Sequence, residues 1–291
     1  MKNLKKACLY ILCAGLFLLF SVPCRGAQEQ IQAGLVEENG SYRYYQDGQA
    51  LKNQWKRLEE NKRKYYFGED GAAVVGSHKI GDKYYVFNAR GQLLEPSKTK
   101  FVTANNRTYY VNSKGNPVSG WQIVKGELYY ITKKGLKKTD VVYDGITLGK
   151  TGAARVNTAS RLKMKVMEVV SEITTPEMSR KEKLRACFDY TISSEFRYDR
   201  RTKWPNVKKK GWQKKCALDM LETHRGVCFG YACAFAALAD ELGYTPYLID
   251  ANLHSRHCFV RIDKKYYDKL TNSFGAKKYP RKHKILGITK F

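Results

Sequence analysis

Between residues 42 and 140 a tyrosine pair returns five times, as Tyr44-Tyr45, Tyr65-Tyr66, Tyr84-Tyr85, Tyr109-Tyr110 and Tyr129-Tyr130. A period of roughly twenty residues marks an array of short supersecondary units. Each pair is followed by a polar turn ending in glycine, at Gly48, Gly71, Gly91, Gly115 and Gly135. The aromatic run has strand propensity and the turn needs the positive φ that glycine takes without strain, so each unit is expected to be a short β-hairpin. A hairpin this small cannot bury its own aromatic face. Stacking neighbours buries it, which predicts an all-β hairpin-repeat solenoid whose end units are capped by whatever follows.

The pattern decays through Asp144-Gly145 and Gly149-Lys150-Thr151-Gly152, which read either as a last degenerate hairpin or as a linker; the repeat region is set at residues 34–152. From residue 158 to 291 the periodicity is different. Leu162, Val166, Val169, Val170 and Ile173 fall on one face of a helix of about four turns. Ser179 and Glu182 have capping-box spacing and open a second helix. A short helix is expected over Ala217 to Glu222, and Gly226 separates it from an Ala-rich segment, Cys228 to Leu242, that is apolar on most sides and reads as a central buried helix. Tyr247 to Ile249, His257 to Ile262 and Lys265 to Asp268 read as strands, the last two joined by an Asp263-Lys264 turn. Helices with a small antiparallel sheet define an α+β region.

Cys228 falls in the first turn of its helix, where free amides and the helix dipole favour the nucleophilic thiolate and offer donors to an oxyanion. A nucleophilic cysteine needs a general base, and the base needs a third group to orient it. His257 and Asp268 lie at similar distances from the Asp263-Lys264 turn, opposite or diagonal to each other, close enough for a carboxylate to accept the imidazole N–H. A cysteine at a helix start is by itself more often a small buried hydrophobe. The company of a base and an orienter favours chemistry. Zinc is a rival use of Cys228, Cys233, His254, His257 and Cys258, but the spacing matches no common zinc motif and the adjacent His257 and Cys258 point to opposite faces of a strand. No metal and no cofactor are expected, and His224 and His254 read as polar surface residues.

The string Phe196-Arg197-Tyr198-Asp199, Gly226-Val227-Cys228-Phe229-Gly230-Tyr231-Ala232, His257-Cys258-Phe259 and Tyr266-Tyr267-Asp268 resembles the transglutaminase-like, papain-like superfamily over about residues 160–275. That resemblance implies a central helix packed on a small antiparallel sheet, with Cys228 as nucleophile, His257 as general base and acid, and Asp268 as orienter. The repeats, through Gly120-Trp121 and the units of a tyrosine pair and a following glycine, resemble the cell-wall-binding, choline-binding-like repeats of Gram-positive surface proteins. Aromatic cages between repeats of that family bind choline by cation–π attraction. Here Arg43, Lys64, Lys83, Thr108 and Leu128 stand where tryptophan commonly precedes the pair, and three of them put a cation where the ligand's cation would sit. An anionic wall polymer or glucan is therefore the expected ligand, touched by Trp55, Trp121, Tyr45, Tyr66, Tyr85, Tyr110 and Tyr130; packing within the array is the alternative use of the tyrosines.

Residues 1–26 read as a secretory signal, with Lys2, Lys5 and Lys6 before an apolar run and small residues at its end, so no stable membrane span is expected after cleavage. An exported chain of net charge +26 meets wall polyanions or anionic lipid before nucleic acid, which is not an expected partner. Removing Cys8, Cys13 and Cys24 with the signal leaves Cys187, Cys216, Cys228, Cys233 and Cys258, an odd set that keeps at least one thiol free or paired between chains. Cys233–Cys258 and Cys187–Cys216 bridges stay open. The leading expectation is a secreted, wall-associated cysteine enzyme that cleaves peptide or glutamine-type amide bonds through a thioester, with hydrolysis favoured over crosslinking. The alternative is a non-catalytic adhesion or scaffold protein with a degenerate transglutaminase-like domain.

Overall fold

The computed structural model describes residues 33–291, so the signal reading of residues 1–26, with Cys8, Cys13 and Cys24, lies outside the described residues. Six antiparallel hairpins come first. They are β1 (Ala33–Glu38) with β2 (Ser41–Gln46) and a short β3 (Gln49–Ala50), β4 (Gln54–Arg57) with β5 (Lys64–Phe67), β6 (Gly76–Ile80) with β7 (Lys83–Phe87), β8 (Lys100–Ala104) with β9 (Arg107–Val111), β10 (Gly120–Val124) with β11 (Glu127–Ile131), and β12 (Val141–Tyr143) with β13 (Ile146–Leu148). The segment left open between hairpin and linker is thus a hairpin, with Ile146-Thr147 where earlier units carry the tyrosine pair.

One feature of these units differs from the sequence reading. In four of the six hairpins the tight turn lies before the strand that carries the tyrosine pair or its counterpart, at Asn39-Gly40, Asn105-Asn106, Lys125-Gly126 and Asp144-Gly145, where both residues have positive φ. That geometry matches the twist of antiparallel strands. The glycine-ending turn after the pair instead sends a short tail back along the tyrosine strand, bridging Phe67 to Ala73, Phe87 to Leu93, Val111 to Pro117 and Ile131 to Lys137. The tail also bonds to the preceding unit: Ala73 N to Tyr42 O at 2.7 Å, Leu93 N to Lys64 O at 2.8 Å, Lys137 N to Thr108 O at 3.1 Å and Ala154 N to Leu128 O at 2.8 Å. Each unit therefore closes the backbone and covers the apolar face of the one before it. Gly91 shows how tight this is, since a Cβ there would lie 2.5 Å from the Cβ of Ala73.

Four helices follow: α1 (Thr158–Ile173), α2 (Arg180–Ile192), α3 (Trp212–Thr223) and α4 (Cys228–Glu241). The capping boxes of α1, on Asn157 and Ser160, and of α2, on Ser179 and Glu182, satisfy amides that a helix start leaves unpaired. Ala159, Met164 and Met167 of α1 pack on Leu128, Ile146 and Leu148 of the last hairpins, while Leu162, Val166 and Val169 enter the core around α4. Among the described residues no helix is long and apolar enough to cross a membrane.

Behind α4 stands a five-stranded antiparallel sheet of β16 (Tyr247–Asn252), β17 (Arg256–Ile262), β18 (Lys265–Asp268), β19 (Ser273–Ala276) and β20 (Lys284–Lys290), in the order β19-β18-β17-β16-β20. It is wider than the three strands read from sequence. β20 is mostly exposed, with Ile285, Leu286 and Ile288 between Lys284 and Lys290, and it gains strand structure by pairing with the edge of β16. A short parallel pair, β14 (Arg197–Tyr198) with β15 (Arg225–Gly226), brings Tyr198 to the start of α4.

Candidate active site

Cys228 begins α4 after Val227, whose extended backbone offers no side-chain cap, so the first-turn amides are left to other partners. α3 fixes this turn from below: a Cβ at Gly226 or Gly230 would stand 2.9 Å from the Met220 sulfur. A side chain at either position would have to displace Met220. Aromatic packing of Trp212 and Trp204 on Phe229 holds the turn from the side.

The sheet brings the other two residues. Val260 pairs with Tyr267 and Ile262 with Lys265, a register that sets His257 and Asp268 diagonally across β17 and β18, both buried. His257 Nε2 lies 3.0 Å from Asp268 Oδ1, and Cys228 lines the same cleft, near enough to act on the charge of the ring. Burial, the largest influence, disfavours the imidazolium, yet the bonds to Asp268 and to Cys228 outweigh it and raise the His257 pKa to about 9. The structure thus gathers the thiol, the imidazole and the carboxylate singled out in the sequence at one place.

Asp268 has more support than the sequence suggested. Its Oδ1 also accepts from the Leu270 amide at 3.1 Å, and its Oδ2 from the Tyr279 hydroxyl at 2.8 Å and the Thr271 hydroxyl at 3.3 Å. Burial pushes its pKa up, but the bonds from His257, Tyr279 and Leu270 leave it below the ordinary carboxylate value. Tyr279 is in turn clamped between Phe259, stacked at 4.0 Å, and His283. Tyr279 and Thr271 lie in irregular chain with no periodic signal, so sequence reasoning missed both.

Tyr198 was missed as a site residue although it stands in the string quoted for the resemblance. Burial, foremost, and the neighbouring Cys228 raise its pKa. Cys228, His257, Asp268 and Tyr198 line one cleft of about 840 Å³. The remaining cysteines are free thiols too; the Cys216 thiol lies beside Cys233, so neither bridge left open by the sequence is formed. His254 is exposed, and His224 caps α3 among Tyr190 and Phe196.

The aromatic residues expected to meet a wall ligand fall into clusters shared between units. Trp55 packs edge-on against Tyr66 of its own hairpin at 5.3 Å and Tyr85 of the next at 4.9 Å. Trp121 meets Tyr130 at 5.2 Å and Tyr143 at 5.9 Å, and Tyr143 donates a 2.7 Å hydrogen bond to the Tyr130 hydroxyl. Phe101, overlooked in the sequence, takes the equivalent place against Tyr110 and Tyr129. Two assignments need revision. Tyr110 is buried at 9% exposure against Phe101 of its own hairpin, at 4.8 Å, and Tyr45 belongs to no cluster but bonds Glu38. The face of Trp55 is occupied by the chain's own Lys64, with Nζ 4.3 Å from the ring centroid.

Residues 167–246 match the model of the transglutaminase-like superfamily. The match takes in Cys228 and ends before His257 and Asp268, which are placed by the sheet. Glucosyltransferase-S of Streptococcus mutans serotype c is 29% identical over 142 residues, covering 40% of this chain and only 9% of that relative. Choline binding protein F from Streptococcus pneumoniae, solved in the presence of a peptidoglycan analogue, is similar over 43% of this chain and 40% of its own, at 22% identity and a TM-score of 0.32. The modular Cpl-1 endolysin complexed with a peptidoglycan analogue is similar over 43% of this chain and 38% of its own, at 20% identity and a TM-score of 0.32.

Proposed function

We infer that the chain is an exported, cell-wall-associated cysteine enzyme that cleaves peptide or glutamine-type amide bonds by way of a thioester. The observation that carries this reading is the cleft lined together by Cys228, His257 and Asp268, in which His257 Nε2 lies 3.0 Å from Asp268 Oδ1. In the proposed reaction the Cys228 sulfur attacks the amide carbonyl while amides of the first turn of α4 polarise its oxygen. The His257 imidazolium gives its proton to the departing nitrogen, and Asp268 keeps the ring oriented and its charge balanced. Water activated by the now neutral His257 then releases the acid, and hydrolysis is favoured over capture by an amine.

The repeats are proposed to hold the enzyme on an anionic wall polymer or glucan, as a hairpin solenoid over residues 34–152 preceding a catalytic domain over 158–291. The aromatic clusters at Trp55, Phe101 and Trp121 each carry a lysine over a ring, Lys64, Lys137 and Lys163, which argues for an anionic or neutral ligand over choline. The test is mass spectrometry of the protein incubated with peptide amides, with and without a fluorescent primary amine. An acyl adduct on Cys228 that decays to free acid without amine incorporation supports hydrolysis; amine incorporation makes it a crosslinking enzyme. A Cys228 no more reactive than the other thiols leaves the non-catalytic scaffold reading in its place.

A further inference from the structure

The cleft is cationic, and two of its four cationic groups have no partner. Its lining contains one carboxylate, Asp268, already engaged by four donors, and four cationic groups, Arg200, Arg256, His257 and Lys269. Arg256 is bound to Asp250 at 2.6 Å and His257 to Asp268. Arg200 and Lys269 form no ion pair among the described residues. Arg200 stands exposed at the rim near Tyr198, whereas Lys269 is half-buried with its Nζ 3.8 Å from the centre of the Tyr231 ring.

Tyr231 supplies an independent observation. It is 5% exposed, it lines the cleft, and its hydroxyl is buried with no hydrogen-bond partner. Orphaned buried hydroxyls are uncommon in folded chains and point to a missing acceptor or donor. The Tyr198 ring lies nearly parallel to that of Tyr231 at 6.3 Å. Tyr231 lies three residues after Cys228 on the same helix, so the two side chains are neighbours about 5–6 Å apart at Cβ.

We propose that Tyr231, Lys269 and Arg200 form a subsite for a carboxylate on the peptide acyl donor, within one residue of the amide attacked by Cys228. The proposal deepens the nucleophile reading and rests on it. A carboxylate has lone pairs for both an O–H and an N–H donor, so one group satisfies Tyr231 and neutralises Lys269 together. A neutral amide would satisfy the hydroxyl and leave a half-desolvated ammonium unpaired, the arrangement that buried charges disfavour. The preferred donors are therefore acidic peptides, and a glutamine in place of the acidic residue is a poorer occupant.

The test uses two peptidyl electrophiles identical except for Glu or Gln at one of the two residues nearest the reactive group, with labelling of Cys228 in the full chain followed by intact mass. The expected result is a second-order rate about tenfold higher for the Glu probe. Lys269→Met should bring that ratio close to one, Lys269→Arg should retain most of it, and Tyr231→Phe and the exposed-site variant Arg200→Gln should each lower it several-fold. Because each variant is read as a ratio, a change in the thiol's own reactivity cancels. A wild-type ratio of one or less, or an unchanged ratio in both Lys269→Met and Arg200→Gln, overturns the subsite. Failure of both probes to label Cys228 in the wild type overturns instead the nucleophile reading beneath it.

Discussion

The hairpin array draws its contacts from adjacent units, whereas the region after Asn157 gathers one core from helices and strands far apart in the chain. In the array a tail bonds to the strand one unit back, so stability is close to a sum of local terms and damage should stay local. In the helix-and-sheet region the same few residues serve both core and site: Phe229 and Tyr231 flank Cys228 on α4, and Tyr267 precedes Asp268 in the packed sheet. The difference separates tolerance from precision. An array can vary its faces unit by unit to suit a polymer, while a site assembled from β14, α4, β17 and β18 must keep every spacing.

The largest expected effect breaks the comparison cleanly. Cys228→Ala should lower turnover on the order of 10⁶-fold, as removal of a nucleophile does, and leave sedimentation with purified walls unchanged. Loss of both would show that the regions do not act independently. Asp268→Asn should lower kcat by roughly 10²–10⁴-fold, the range of general acid–base assistance. It should also move the alkaline limb of kcat/KM, expected near the His257 value of about 9, down toward the ordinary histidine value of 6.5.

The same shift makes a stability prediction. A histidine whose pKa is raised in the folded state stabilises it fully below its ordinary value of 6.5, and that contribution is lost as pH climbs through about 9. Asp268, lowered from 3.8, acts in the opposite sense: its contribution is present above that value and is lost in stronger acid. Urea midpoints at pH 6 and pH 9.5 should therefore fall in the wild type and change less in His257→Gln.

In the array, Phe67→Ala should cost about 3–5 kcal/mol, typical of an emptied aromatic site. Hydrogen exchange should show protection lost in the hairpins around it and kept in α4 and the sheet. Lys64→Met should have the smallest effect, about 0.5–1 kcal/mol of lost cation–π attraction, and should uncover the Trp55 face. Calorimetry would then detect weak choline binding in the variant and none in the wild type.

Much of this organisation was legible because local chemistry and global structure agree. The tyrosine period gave the array, and the apolar spacing with the Asn157 and Ser179 caps gave α1 and α2. The hairpin partners differ from the sequence reading because the Asn-Gly, Lys-Gly and Asp-Gly turns, with positive φ at both positions, come before the tyrosine strand and its counterpart and not after them. Cys228, His257 and Asp268 were legible because a helix start and a symmetric hairpin fix them. Tyr279, Thr271 and Tyr198 were not, since they reach the site from loops and a two-residue strand whose placement depends on the finished core.

The most direct test of the central claim compares thiols within one molecule. Folded protein is treated at pH 7 with a small alkylating agent, and the rates at Cys187, Cys216, Cys228, Cys233 and Cys258 are read by peptide mass spectrometry, in the wild type and in His257→Ala. Activation by His257 predicts that Cys228 reacts first by at least tenfold and that His257→Ala removes most of its lead. Equal rates at Cys228 and the partly exposed Cys216, unaltered in His257→Ala, would contradict it.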